Sequence, residues 1–452
     1  MTDFALLQSR VAGPVRTPAD SDFSTAVAGF NLFFQNTPDA VVGVMSTADV
    51  AAAVAFAAAN DLHVTVQATG HGLHRTIEGG LLIDTSRLDA VTIDADARTA
   101  TIGAVARWAA VVASAAPLGL APVTGSSTNV GVVGYILGGG LGPLSRSHGF
   151  SSDYLVSATV VTPDGEVVEA SADTNPDLLW ALRGGKGGFG VVTEIRLALV
   201  ELPSLYAGSL MFPEPSIDTV LRGWIDYTKT APADVTTSVA IYHFPPVEQL
   251  PPHLRGQTLI SVRFAFPGSA AEGEKLATAL HALANPIMNT IAALPLADVA
   301  TIHGDPSDPG PAWSRGLLLN GIDGDFATAL LGAVGSGVQT PVMVTEIRHL
   351  GGATRIDVPE GSSAGGRASE YALSLIGAPN PALFADVLPG VSQQLIDSIA
   401  AWVSPETNIN FAGGPDLADF TRAWPTATFE RLEQIRAQLD PKGLMAYGPP
   451  RT

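Results

Sequence analysis

Two glycine-rich runs, each at the end of a strand-like alternation, constrain this chain more than any other feature. The first is Val64-Thr-Val-Gln-Ala-Thr-Gly-His-Gly-Leu-His74. The second follows about sixty residues later as Gly125-Ser-Ser-Thr-Asn-Val-Gly-Val-Val-Gly-Tyr-Ile-Leu-Gly-Gly-Gly-Leu-Gly142. Only glycine lets a backbone approach a ligand this closely, so two such loops can bring many N–H groups up to one large anionic ligand. His71, flanked by glycines, is a candidate nucleophile toward that ligand. Together the loops suggest a bound dinucleotide, with His71 as its candidate point of covalent attachment.

Length and composition narrow the setting. A chain of 452 residues, 46% of them hydrophobic, can bury a large core and as a soft prior makes two or three domains. Lys+Arg 24 against Asp+Glu 43 gives a formal net charge of −19, which disfavours nucleic acid and anionic membrane as partners. The absence of cysteine excludes disulfides, thiolate metal sites, iron–sulfur ligation and cysteine nucleophiles. The N-terminus lacks a basic region followed by a long apolar stretch, and Val50–Ala59 is too short to span a bilayer. A soluble cytoplasmic protein is the expectation, with its oligomeric state open.

Local signals give the organisation. Ser46-Thr-Ala-Asp49 reads as a capping box opening an alanine-rich helix to about Asn60. Val64 and Val66 alternate into the His71 loop, and Leu81-Leu-Ile83 reads as the next buried strand. Val91–Ile93 and Thr99–Ile102 flank a polar turn and predict a hairpin, as do Tyr154–Thr162 and Glu166–Glu169 around Pro163-Asp164-Gly165. Asn175 caps a short helix to Arg183, and Val191–Glu201 is a strand. Leu202-Pro203 marks a boundary. Beyond it, strands at Ser238–Tyr242, Thr258–Phe264, Val342–Ile347 and Tyr371–Ile376 alternate with amphipathic helices such as Ala270–Leu283, which fits an antiparallel sheet covered by helices. A final helix covers Phe429–Leu439.

Several motifs fail on context. Gly185-Lys-Gly-Gly-Phe-Gly190 matches the dinucleotide-binding G-x-G-x-x-G, but a helix precedes it and a strand follows, the reverse of what that site requires. Gly187 also stands where a P-loop needs Ser or Thr. Gly361-Ser-Ser-Ala-Gly365 matches the serine-hydrolase elbow G-x-S-x-G, yet lies in a loop before a strand. The nine histidines form no H-E-x-x-H or H-x-H pair, and His71 and His74 lack nearby carboxylate or thiolate ligands, so no metal site is predicted.

Taken together, the residues resemble the FAD-linked oxidases of the vanillyl-alcohol oxidase type, in the berberine-bridge-enzyme-like branch. Gln67-Ala-Thr-Gly-His71 stands at the family's Arg-(Ser/Gly)-Gly-Gly-His signature. Val130–Gly142, Ser145-Arg-Ser-His-Gly149, Asp153, Asp177–Gly185, Gly188-Phe-Gly-Val-Val-Thr193 and the terminal Phe429–Pro441 segment follow in the family's order. The resemblance implies an α+β fold: a two-lobed FAD-binding domain from both chain ends, residues 1–203 and 406–452, with a substrate domain over 204–405. It implies FAD singly bonded through His71, because Ser127 stands where some members place a second attachment, on cysteine. It implies cofactor contacts from Gln67, Ala68, Thr69, Gly70, Gly72, Leu73, Gly125, Ser126, Ser127, Thr128, Val130, Gly131, Gly134, Tyr135, Gly140 and Val192. Val130 stands where valine in relatives goes with oxidase behaviour and leucine with dehydrogenase behaviour. Gln67 for arginine, Gly72 for a polar residue and Tyr135 for histidine are departures, as is a Gly443-Leu-Met-Ala-Tyr447 tail without the usual Phe-Arg-x-Asn ending.

The implied chemistry is hydride transfer from a substrate C–H, of an alcohol or amine, to flavin N5. A protein base takes the adjacent proton, and oxygen reoxidises the flavin to give peroxide. The candidate catalytic residues are Glu346, Arg348, Tyr135 and Asn410. Glu346 and Arg348 share a strand face. In an apolar flavin pocket Glu346 would have a raised pKa and act as base; otherwise the two form an ion pair remote from the ligand. Asn408 stands where plant-like members use tyrosine. A scaffold that holds FAD without net oxidation, or a dehydrogenase using another acceptor, are the alternatives.

Overall fold

The computed structural model describes residues 2–248, 250–413 and 420–447. The parts of 406–452 outside those ranges lie beyond the described residues. Ser46 opens the helix Thr47–Ala59, its hydroxyl accepting the Asp49 N–H at 3.2 Å. The reciprocal half of the capping box does not form. The Asp49 carboxylate instead accepts the backbone N–H groups of Ala12, Gly13 and Met45, tying the N-terminal segment to the helix start. The helix buries Val50, Val54 and Phe56 against Val42, Val64 and Ile83 of a small sheet. In that sheet Ala40–Gly43 and Val64–Gln67 run parallel to Leu81–Asp84 between them, and Val15–Arg16 forms an antiparallel edge. The His71 loop leaves from the C-terminal end of Val64–Gln67.

A second sheet is antiparallel, in the order Val91–Asp94, Thr99–Gly103, Val191–Ala198, Leu155–Val161, Val167–Ser171. Both hairpins foreseen from turn chemistry are present. Helices Trp108–Ala115, Val132–Ile136 and Pro176–Leu182 share its core through Trp108, Ile136 and Leu179. Asn175 precedes the last of these with φ 52° and makes no capping bond; its amide donates to the Glu169 carbonyl.

The third sheet has eight antiparallel strands. Its order is Met288–Asn289, Tyr206–Pro213, Thr258–Phe266, Thr236–His243, Val342–His349, Tyr371–Gly377 and Ser314–Leu319, with Ala292–Ala293 also on Tyr206–Pro213. Strand alternation gives it two faces. Leu210, Phe212, Val262, Phe264, Ile347 and Leu373 pack under helices Ile217–Thr228, Ala270–His281, Gly324–Val334 and Val387–Ser398. The opposite face carries Ser209, Ser238, Ser261, Arg263, Glu346 and Arg348 among small residues. Ala207, Ala265 and Ala372 on that face pack against Val123, Leu141, Leu144 and Phe150 of the N-terminal half. A polar sheet face therefore looks onto the second glycine loop.

The chain returns at its end. Helix Thr426–Leu439 lies on Pro176–Leu182, and Leu444–Ala446 hydrogen-bond alongside Val64. Mixed helix and antiparallel sheet make the α+β class. Among the described residues, no helix is long and apolar enough to cross a membrane, and no cluster of metal-ligating side chains is present.

Candidate functional site

The glycine loops converge on one cavity of about 1290 Å3, lined by residues 63–78, parts of 125–135, 186–192 and 441–447, with Asp305, Arg348, Asn410 and Phe411 on the side of the large sheet. That exceeds the roughly 300–1,000 Å3 of an ordinary small-ligand pocket. Among the described residues, the backbone N–H groups of Ala68 through His74 donate to no protein acceptor. Unpaired N–H groups in a turn are a ready-made anion cradle. The loop can take this shape because Gly70 sits at φ 71°, where an added Cβ would lie 2.4 Å from Gly29 Cα. Gly134 and Gly72 leave the cavity room: a Cβ on Gly134 would meet nothing within 4 Å, and one on Gly72 only the Lys186 ammonium at 3.9 Å.

His71 is fixed on two sides. Its Nδ1 lies 2.7 Å from the Thr69 hydroxyl, and its ring stacks on Phe30 with centroids 3.7 Å apart and planes 13° from parallel. Burial, and then the nearby Arg107 guanidinium, lower its pKa to about 4. The imidazole is therefore neutral at physiological pH and keeps a nucleophilic lone pair. Phe30 is itself held, its N–H donating to the Thr69 carbonyl and its carbonyl accepting from Gly310.

The expected base is corrected by the structure. Glu346 is buried and does not reach the cavity wall. Burial alone would raise its pKa, but the guanidinium groups of Arg348 and Arg263, with His303 beside them, hold it well below the usual carboxylate range. Its Oε1 accepts from Arg263 at 3.0 Å and from Ser238 at 3.1 Å, and its Oε2 accepts from Arg348 at 2.9 Å. A carboxylate this well compensated is a poor proton acceptor. Arg348 does reach the wall, but its donors are committed to Glu346, the Leu141 carbonyl and the Ser126 hydroxyl, and its guanidinium lies over the Phe411 ring. It clamps the large sheet onto the second glycine loop.

Asn410 and Tyr135 also line the cavity. Asn410 spends both ends of its amide, accepting from Lys186 Nζ at 2.7 Å and donating to the Tyr135 carbonyl at 2.8 Å. Burial raises the Tyr135 phenol above its ordinary range, and its ring meets Trp108 edge-on. Gln67 through Leu73, Gly125 through Ser127, Val130, Gly131, Gly134 and Val192 lie on the wall. Thr128 and Gly140 do not. The Thr128 carbonyl accepts from Ala109 N–H, and a Cβ on Gly140 would strike the Tyr135 ring at 2.3 Å, so this glycine seats that ring from behind. Ser363 of the rejected elbow motif is buried and donates to the Ala181 and Arg183 carbonyls.

Sequence reasoning missed Lys186 and Asp305; Phe411 lay in the Asn408–Phe411 segment it considered for the base, and the tail 441–447 was given no site role. Asp305 makes no hydrogen bond or ion pair among the described residues. For Lys186 a signal existed: it is the one charged residue inside a glycine run.

Comparison with known proteins agrees with this geometry. A family model described as an FAD binding domain matches residues 38–171. The (R)-6-hydroxynicotine oxidase of Paenarthrobacter nicotinovorans is 35% identical over 209 residues, 46% of each protein, so the match spans about half the length of that relative. The solved 6-hydroxy-D-nicotine oxidase of Arthrobacter nicotinovorans has a TM-score of 0.83 at 23% identity, covering 96% of each chain. A berberine-bridge-enzyme-like protein of Physcomitrella patens gives 0.84 at 20% identity, covering 99% of this chain and 98% of that one. The glucooligosaccharide oxidase of Acremonium strictum, described with a 6-S-cysteinyl, 8α-N1-histidyl FAD, gives 0.83 at 20% identity, covering 99% and 98%. The chain thus carries an FAD binding domain over residues 38–171 and shares its fold with these solved oxidases and with the berberine-bridge-enzyme-like protein.

Proposed function

We propose that the protein is an FAD-dependent oxidase of a small organic alcohol or amine, with the flavin held by a single bond to His71. The observation that carries this reading is the run of unpaired N–H groups from Ala68 to His74, wrapped around a neutral histidine in a cavity large enough for a dinucleotide. Bound FAD would supply the two-electron chemistry, taking hydride from a substrate C–H and passing the electrons to oxygen as hydrogen peroxide. The N–H cradle binds the pyrophosphate, and His71 is the attachment residue. Ser127 and the absence of cysteine support attachment at one point only, unlike the doubly bonded cofactor of the Acremonium enzyme. Arg348 and Phe411 shape the substrate side. With Glu346 committed to its cations, Asp305 is the wall carboxylate on that side that can accept the substrate's proton. Val130, at the wall beside Gly131, supports access of oxygen. We place the protein in the cytoplasm and leave nucleic acid and membrane out of its partners.

The test is an absorbance spectrum before and after acid precipitation, with intact mass. Yellow colour that stays with the pellet, a mass increase equal to FAD, and release of the flavin by His71→Ala are the expected results. Anaerobic bleaching by a panel of amines and alcohols, with peroxide formed on readmitting air, then identifies an oxidase. Flavin that no substrate bleaches would favour a holding role, and a protein that takes up no FAD would overturn the reading.

A further inference from the structure

Lys186 lies within Gly184-Gly-Lys-Gly-Gly-Phe-Gly190 with φ 70°, a conformation that glycine adopts freely and lysine rarely does. Its side chain turns into the cavity, where the ammonium donates to the Gly134 carbonyl at 2.8 Å and to Asn410 Oδ1 at 2.7 Å. Both acceptors are neutral. An ammonium has three donors, so one is left over. Among the described residues no carboxylate pairs with it, and burial lowers its pKa to about 8. A half-buried cation facing a cavity without a counter-charge is completed by an anion bound there. Backbone strain and missing counter-charge fall on the same residue, beside the N–H cradle of the His71 loop: the ammonium is 3.9 Å from where a Cβ on Gly72 would stand.

We propose that Lys186, positioned by Asn410 and Gly134, is the counter-cation for the bound flavin nucleotide, donating its remaining N–H to an anionic oxygen of that ligand. This rests on the flavin reading above. Two parts of one ligand carry such oxygens, the pyrophosphate and the pyrimidine edge of the reduced ring, and the experiment separates them. Glycine would hold this backbone without strain, so what lysine adds is its charge, and the charge should be removable without loss of the fold.

The test uses the full chain with His71→Ala, so that FAD binding is reversible, and adds Lys186→Gly or Lys186→Gln. FAD and ADP are titrated separately, and the flavin midpoint potential is measured. Loss of a charge-assisted hydrogen bond should weaken FAD binding by about ten- to a hundredfold. Lys186→Gly should meanwhile keep or raise the melting temperature of the FAD-free protein, because glycine relieves the strain. Equal weakening of ADP places the ammonium on the pyrophosphate. Weakening of FAD alone, with a lower midpoint potential, places it on the ring. FAD affinity within twofold of the parent and an unchanged potential in both variants would overturn the proposal while leaving the flavin reading intact. A parent chain that binds no FAD overturns both.

Discussion

The Nδ1 of His71 lies 2.7 Å from Thr69 Oγ1 while the ring is stacked flat on Phe30, so only one ring nitrogen is left to react. With Nδ1 engaged, the flavin bond is expected at Nε2, unlike the N1 linkage described for the Acremonium enzyme. Proteolysis and NMR of the isolated histidyl flavin read the linkage directly, and attachment through Nδ1 would refute this. Thr69→Val removes a bond worth about 1 kcal/mol, so flavin attachment in that variant should slow by roughly fivefold.

Buried neutral histidines set an acid limit on stability. Burial, then Arg107, lowers His71 to about 4, and burial, then Arg146 and Arg355, lowers His349 to about 3. His74, His148 and His243 are lowered too, each chiefly by burial. Unfolded, each takes up a proton near pH 6.5. Between that value and the folded one, the unfolded chain holds more protons, so stability falls as pH falls. The contribution is whole above about 6.5 and lost by about pH 4 for His71 and about pH 3 for His349. Urea unfolding of the FAD-free protein at pH 7, 5.5 and 4.5 should show this slope, and His349→Gln should flatten it. A flat profile in the parent would show that these histidines are protonated in the fold.

Much of the site was legible because its signals are local. The glycine loops, the turns at Asp94–Arg98 and Pro163–Gly165, and the alternation of the long strands each declare themselves within a dozen residues. What the chain did not show is who lies across from whom. Glu346 looked like a base because its own strand neighbours are apolar or uncharged except Arg348; to that guanidinium, Arg263 from a strand two places away adds a second charge and His303 from a distant loop a hydrogen bond, and together they lower its pKa. Lys186 was hidden differently. Its glycine run does not read as a nucleotide motif, because a helix precedes it, and nothing in that local pattern marks the lysine as facing a ligand. The tail 441–447 reaches the cavity through backbone bonds to Val64, which no side-chain pattern announces.

Gly134 offers a clean separation of ligand space from fold. It lies in the helix Val132–Ile136 with room for a side chain on its cavity side. Gly134→Ala should stabilise the FAD-free protein by up to about 1 kcal/mol, because alanine is the better helix former. Gly134→Leu should keep the fold and melt near the parent temperature, yet take up little FAD. Full flavin content in the leucine variant would mean that the nucleotide lies elsewhere.

The Glu346 network gives the sharpest contrast between a base and an anchor. Arg263 is buried and Arg348 largely so against its carboxylate, and removing the carboxylate leaves the buried Arg263 uncompensated, at a cost of up to about 3–5 kcal/mol. Glu346→Ala should therefore lower the melting temperature strongly. Glu346→Gln keeps a hydrogen-bonding oxygen and should lose less. Flavin reduction by a substrate should slow in the glutamine variant through displacement of Arg348, while the pH dependence of the reduction rate keeps the shape seen in the parent. A catalytic base behaves otherwise: its removal erases the acidic limb of the pH profile and leaves stability nearly unchanged. Rapid-mixing reduction from pH 5 to 9, set beside thermal melts of the same two variants, distinguishes these patterns. A lost acidic limb at parental stability would restore Glu346 as the proton acceptor.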